Sequence, residues 1–279
     1  MLKGIRNPRP ALVCARLGFE LIQRDFRKYA PIALAIFAGK PGLERWRLRL
    51  VRASYLYFRY LDDVADGDRP CLDGPQRFLD RQSLQWCAGP AGDTMGQDAD
   101  ILFHLIWTEF ARRNLALHRA RSLALRIIEG LQFDLQRSSS GQFISQAERD
   151  EYYAKIIFAP ACFAHVVFGA SADSKALREL SRVIGELQSL RDLTADWDAG
   201  RINIPQGTLQ QNWQPEQLTD WRERETCEAA ARLRHLWQRW PTQADQISSD
   251  IMRPVVGTLL RWAAREYPKR RFSSIGGNV

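Results

Sequence analysis

Two short stretches of this chain concentrate carboxylates at helical spacing. The first is Tyr55-Leu-Tyr-Phe-Arg59-Tyr-Leu-Asp62-Asp63-Val-Ala-Asp66-Gly-Asp68. On a helix, Asp62 and Asp66 stack on one face, Asp63 lies one step round, and Arg59 sits one turn before Asp63. Like charges at that spacing cost an isolated helix about 0.2–0.5 kcal/mol per pair, and carboxylates near a helix C-terminus also oppose its dipole. A cation removes both penalties. Magnesium suits such a site, being a hard ion that takes carboxylate oxygen and keeps waters while bridging to phosphates. An acidic, merely solvated helix end is the alternative reading. It predicts polar neighbours, whereas the residues before Asp62 are mostly Tyr, Leu and Phe.

The second stretch is Leu190-Arg191-Asp192-Leu-Thr-Ala-Asp196-Trp197-Asp198-Ala-Gly200-Arg201-Ile-Asn203-Ile-Pro205. Asp192 and Asp196 repeat the one-turn spacing near the end of an apolar-striped helix, which Gly200 and Pro205 close. Two such clusters can face each other across an antiparallel helical bundle, where inward side chains build metal sites.

The elements that must position these residues read as helices throughout. Leu12, Ala15, Phe19, Ile22 and Phe26 recur at helical period, and so do Trp46, Leu48, Val51, Tyr55, Phe58 and Leu61 within 43–66. Further helices are expected at 76–87, 99–114, 118–137, 145–168, 174–197, 214–240 and 243–267. Strand-like alternation is nowhere sustained. The expectation is an all-α protein, one domain over 1–279 with a core of about 20–271. Gly89–Gly96, Ser138–Gln142 and Gly200–Gly207 are turn-rich punctuation, too short for interdomain linkers.

The chain has 279 residues, 45% hydrophobic and 26% charged, enough to bury a substantial core. Its longest apolar run, Ile156 to Ala172, is broken by Pro160 and His165 and falls short of the roughly 20 residues of a membrane span. Met1 to Pro10 is basic, but Arg16 and Glu20 interrupt the following segment, which argues against a signal peptide. Five scattered cysteines without CxxC spacing argue against a disulfide framework or a zinc site and fit a cytoplasmic protein. The net charge of +8 suits an anionic membrane surface touched peripherally, a polyanionic small molecule or nucleic acid. No recognisable nucleic-acid-binding module supports the last.

Taken together, the motifs resemble those of the squalene/phytoene synthase family. The first stretch is similar to its Y-x-x-x-R-x-x-D-D-x-x-D signature and the second to R-D-x-x-x-D-x-x-x-G-R-x-x-x-P. Between them, Glu129-Gly130-Leu131-Gln132-Phe133-Asp134 resembles E-G-M-x-x-D-L, and Val167-Phe168-Gly169 resembles the end of the following helix. The resemblance spans roughly Asp25 to Arg271. It implies an all-α isoprenoid synthase fold, a helical bundle around a central cavity, in which magnesium held by two aspartate clusters binds an allylic isoprenyl diphosphate. It implies catalytic roles for Asp62, Asp63, Asp66, Asp192 and Asp196, with Asp62, Asp66, Asp192 and Asp196 as metal ligands. Tyr55, Arg59, Arg191 and Arg201 are expected to contact diphosphate or orient the carboxylates, and Tyr267, with Arg270 or Arg271, to close the site.

The chain also departs from the pattern at its organic end. The hydroxyl-rich segment of the first family helices is replaced by Tyr29-Ala-Pro-Ile-Ala-Leu-Ala-Ile-Phe-Ala-Gly39. The V-A-G-x-V-G segment becomes Ile156-Ile-Phe158-Ala-Pro160-Ala161, so Phe158 is expected to line and shorten the cavity. Q-x-x-N becomes Gly185 and Gln188, and the tyrosine after G-R-x becomes Asn203; Gln188 and Asn203 are further expected cavity residues. These changes spare the diphosphate machinery. They leave three functions open: joining two allylic diphosphates head to head, transfer of one prenyl group to a non-isoprenoid acceptor such as an aromatic compound, and a catalytically silent interaction protein. NADPH, used in some reactions of this type, has no signal in the sequence. Intact aspartates argue against the silent protein, because nothing else would maintain repelling carboxylates.

Other conspicuous residues have plainer readings. His165, in an apolar run, is expected to be a satisfied core histidine, and Trp237 and Trp240, at helical spacing, to be packing residues rather than a binding platform. Trp197 could equally line a cavity or close a helix end. Arg112 and Arg113 read as a solvated face.

Overall fold

The structure, a computed structural model, describes residues 10–24, 44–90, 97–138, 140–170, 174–208 and 215–267. Among these residues helix is the only repeating element, and a single β-bridge joins Ile144 to Pro205. The all-α expectation holds. No described helix is long and apolar enough to cross a membrane. The chain separates into two compact units, Met1–Leu135 with Val166–Phe168, and Gln136–His165 with Gly169–Val279.

The first unit contains α1 (Pro10–Arg24), α2 (Arg45–Ala65), α3 (Pro75–Ala88), α4 (Asp98–Arg112) and nearly all of α5 (Leu117–Arg137). Helix α2 carries the first aspartate stretch, and its rotation is fixed by one buried polar chain. The Trp86 indole N–H donates to the Tyr57 hydroxyl at 3.0 Å, which donates to Gln82 Oε1 at 2.9 Å. The amides of Gln82 and Gln85 then both donate to Asp100 Oδ1, at 3.1 and 2.9 Å. Tyr57, Trp86 and Phe103 pack their rings around this chain. Each buried large side chain is worth about 1.5–3 kcal/mol, and the chain of hydrogen bonds makes the arrangement specific. With Ala53, Tyr57, Leu61 and Val64 turned inward, Tyr55, Arg59, Asp62 and Asp66 fall on the opposite face.

The second unit contains α6 (Gln146–Tyr153), a π-turn (Ala154–Phe158), most of α7 (Ala159–Phe168), α8 (Ser174–Asp198), α9 (Pro215–Arg239), a 3-10 turn (Trp240–Thr242) and α10 (Gln246–Glu266). Helix α6 starts in a capping box: Ser145 Oγ accepts from the Glu148 N–H, and Glu148 returns a carboxylate to the Ser145 N–H at 2.7 Å. The sequence predicts one helix over 145–168, but the structure interrupts it with the π-turn, in which the Ala159 N–H reaches Ala154 O. The physical cause is Pro160. It has no N–H for the Ile156 carbonyl and its ring crowds that carbonyl, and one wider turn absorbs the conflict.

Around α8 the core comprises Leu190, Leu193, Ile202, Ile204 and Trp221, with Phe143, Leu218 and Trp262 packed against it. His165 is buried with Nδ1 2.7 Å from the Ala161 carbonyl, and Trp237 stacks on buried Trp240, as their sequence contexts indicate. Arg112 and Arg113 are exposed. None of the five cysteines forms a disulfide.

Candidate active site

In the first unit, Arg59 holds the aspartates in place. Its Nη1 lies 2.6 Å from Asp62 Oδ2 and its Nη2 lies 2.6 Å from Asp63 Oδ1. The two carboxylates differ sharply in access. Asp63 is 2% exposed, and its backbone carbonyl accepts from the Arg69 N–H, so its role is to fix Arg59 and the helix exit. Asp62 is 35% exposed and Asp66 is exposed, so both carboxylates reach solvent. Desolvation pushes the Asp62 carboxyl up to about 7; Arg59 opposes the shift, and repulsion from Asp66, Asp63 and Asp134 adds to it. Asp134, on α5, thus joins this cluster. Its position in the Glu129–Asp134 segment was the available signal, though no chemical role follows from that segment's spacing alone.

In the second unit, the end of α8 explains why Gly200 and Arg201 follow the aspartates. The Gly200 N–H donates to Trp197 O at 3.0 Å and the Arg201 N–H to Asp196 O at 2.7 Å, the paired bonds of a Schellman cap. Gly200 adopts φ +72°, which a side chain would strain. The cap folds Arg201 back over the helix end and sets its Nη2 3.6 Å from Asp196 Oδ1. Ile202 and Ile204 then enter the core and Gln206 N–H donates to Ile144 O, which anchors the stretch of chain beyond. Asp192 is gripped side-on by Arg191, with Nε–Oδ1 at 2.9 Å and Nη2–Oδ2 at 2.5 Å. Each aspartate motif is therefore held by arginines of its own. Arg222 of α9 adds a third cation nearby, donating to the carbonyls of Leu190 and Arg191 at 2.8 and 3.1 Å.

Comparison with known proteins bears directly on these motifs. Residues 43–269 match the squalene/phytoene synthase family, a span that includes both arginine-held clusters. The chain belongs to that family. Its fold matches a crystal structure of a dehydrosqualene synthase in complex with ligand, with a TM-score of 0.63 at 14% identity over 92% of this chain and 86% of that one. No curated protein matches the sequence.

The remaining positions expected from the family pattern are distributed as follows. Tyr55 is half-buried on the Asp62 face of α2, and Gln188 is half-buried on α8 one turn before Asp192. Tyr267 follows α10 and lines a pocket of about 240 Å³ with Thr194, Trp197, Asp198 and Arg222, beside the second motif. Trp197 is 39% exposed there and meets Phe143 edge to face. Asn203 is buried and bonds to Asp196 at 3.4 Å; it also borders a pocket of about 280 Å³ among α6, α8 and α9. Phe158, the expected cavity wall, is half-buried with the exposed Arg178 guanidinium 4.4 Å from its ring centroid. Residues 29–39, Arg270 and Arg271 lie outside the described residues.

No group of three or more His, Cys, Asp or Glu side chains among the described residues is gathered closely enough to hold a metal ion. The donor chemistry nonetheless fits magnesium: all-oxygen ligands, four accessible carboxylates in two pairs, and an Asp62 whose charge desolvation and the neighbouring aspartates oppose.

Proposed function

We propose that the protein is a magnesium-dependent prenyltransferase that consumes allylic isoprenyl diphosphates, joining two of them head to head with release of diphosphate. The observation that carries this reading is the pair of arginine-held aspartate motifs in a chain of this family. Asp62 of α2 with Asp66 at its C-cap, and Asp192 and Asp196 of α8, would hold the ions. Magnesium, when bound, neutralises the diphosphate and makes it a better leaving group.

The chain's own residues supply orientation and charge. Arg59 and Arg191 fix the carboxylates Asp62 and Asp192, so that little reorganisation is needed when substrate arrives. Arg201 and Arg222 offer cationic charge beside the second motif, where the leaving oxygen gathers electrons as the allylic carbon–oxygen bond breaks. The electron pair of that bond departs with diphosphate and leaves an allylic cation. The double bond of the second substrate must then supply the electron pair of the new carbon–carbon bond before water does, and loss of a proton discharges the cation that this leaves; both need an apolar, aromatic surround.

The replacement of the family tyrosine by Asn203, which borders a pocket of about 280 Å³, favours a second reading, transfer of one prenyl group to a smaller, non-isoprenoid acceptor. Incubation of the purified protein with geranyl, farnesyl and geranylgeranyl diphosphates, with and without magnesium, tests both. A coupled C20, C30 or C40 product with magnesium-dependent diphosphate release is expected. Release only when an acceptor is added would establish the second reading, and no release from any of the three, with or without an aromatic acceptor, would refute prenyl transfer.

A further inference from the structure

Arg137 ends α5 outside both aspartate motifs, and the residue is buried, 9% exposed. Its Nη2 donates to Asn203 Oδ1 at 2.7 Å, its Nη1 reaches Ile202 O at 3.4 Å, and its plane lies 5.5 Å from the Tyr152 ring centroid. Asn203, 7% exposed, passes the contact on: its Nδ2 donates to Asp196 Oδ2 at 3.4 Å. We propose that Arg137 and Asn203 are positioning residues, a buried relay that holds the Asp196 carboxylate in the orientation of a metal ligand. The proposal rests on the diphosphate-binding reading of the second motif and deepens it.

The polarity of the relay is determined at both ends. A guanidinium can only donate and an ionised carboxylate can only accept, so the Asn203 amide has one permitted orientation between them. Arg201 covers the other carboxylate oxygen from 3.6 Å. Asp196 is thus gripped through Oδ1 by one cation directly and through Oδ2 by another at one remove. Structural need alone does not account for this. The helix is already ended by the Gly200 cap, and the following loop is already anchored by Ile202 and Ile204. Burying a guanidinium is costly, and an apolar side chain would fill the same space at lower cost. Outer partners of this type orient ligand carboxylates, and their loss weakens metal binding about 10–100-fold.

The test uses the full chain with manganese and inorganic diphosphate as probes, free manganese being followed by electron paramagnetic resonance. Asp196→Ala sets the loss expected when the ligand itself is gone. Asn203→Leu takes the amide acceptor away from Arg137 and carries a risk of misfolding. The double variant Arg137→Met/Asn203→Leu removes cation and amide together, leaves no unpaired cation in the relay, and retains the wild-type melting temperature to within a few degrees. Manganese affinity should fall about 10–100-fold in the double variant, with the loss in kcat/KM for diphosphate release carried by kcat. Affinity within twofold of wild type in the folded double variant overturns the relay, as does an Asp196→Ala variant that binds manganese normally or a wild type that binds none. A wild type that binds manganese with diphosphate but turns over no allylic diphosphate refutes prenyl transfer, and the relay is still decided by the manganese series.

Discussion

A methyl group added to Gly185 would stand 2.6 Å from Cγ of Tyr153. The Tyr153 ring is buried, and its hydroxyl donates to Ser189 Oγ at 3.0 Å, so neither end of the side chain is free to retreat. Helices α6 and α8 approach this closely because position 185 has no side chain. Gly185→Ala should therefore destabilise by about 1–3 kcal/mol despite the better helix propensity of alanine, and Gly185→Gln, the family's residue, by at least as much. Thermal melts check this. An unchanged melting temperature in Gly185→Ala would mean that the ring has room to turn aside.

The raised Asp62 carboxyl makes the stability of the metal-free protein depend on pH. Its folded value of about 7 lies above the ordinary 3.8, so the folded state holds a proton that the unfolded state gives up. The contribution is fully present below about pH 4 and is lost as pH rises through 7. Asp62→Asn keeps the shape without the charge. It should equal wild type at pH 4 and exceed it at pH 8 by about 1–2 kcal/mol, well below the full linkage value because water screens a carboxylate that is 35% exposed. Urea titrations at the two pH values measure the difference. Equal gains at both would assign the effect to something other than titration.

Activity should separate from stability at the aspartates. Asp62→Ala and Asp192→Ala each remove a proposed ligand and relieve repulsion, so diphosphate release should fall at least about a thousandfold while the melting temperature holds or rises slightly. Asp63→Ala should behave differently. Removing the buried partner of Arg59 strips that cation of its most desolvated counter-charge, at a cost of about 3–5 kcal/mol. Full activity in both Asp62→Ala and Asp192→Ala would refute the two-cluster mechanism.

The elements were more legible in the sequence than the pairings between them. Periodicity locates α2 and α8 to within a residue or two because each has a strong apolar stripe, and the aspartates stand out against it. The π-turn was hidden, since Pro160 predicts a break without saying whether the chain kinks, stops or widens a turn. Asp62 and Asp63 look equivalent in sequence; only the packing of α2 makes one accessible and the other 2% exposed. Arg137 and Asn203 were invisible as a pair, because hydrogen bonding between residues distant in sequence leaves no periodic trace.

Phe158 offers the sharpest test of what the organic end of this protein does. By family pattern it replaces a small residue and should shorten a cavity, which predicts that Phe158→Gly admits a longer allylic diphosphate. The structure gives the ring another occupation: it is half-buried and carries the exposed Arg178 guanidinium at 4.4 Å, a cation–π contact worth about 0.5–1 kcal/mol at such a site. A ring packed there supports the junction between the π-turn and α8, and deleting it removes that packing and leaves a glycine in a helical segment. The expected outcome is a loss of about 3–5 kcal/mol with unchanged chain-length preference. Phe158→Leu, which keeps most of the volume but not the π face, should lose much less. Product profiles with geranyl, farnesyl and geranylgeranyl diphosphates, run beside thermal melts, decide the matter: a shift toward the longest substrate at an unchanged melting temperature would make Phe158 a cavity wall and refute the packing role.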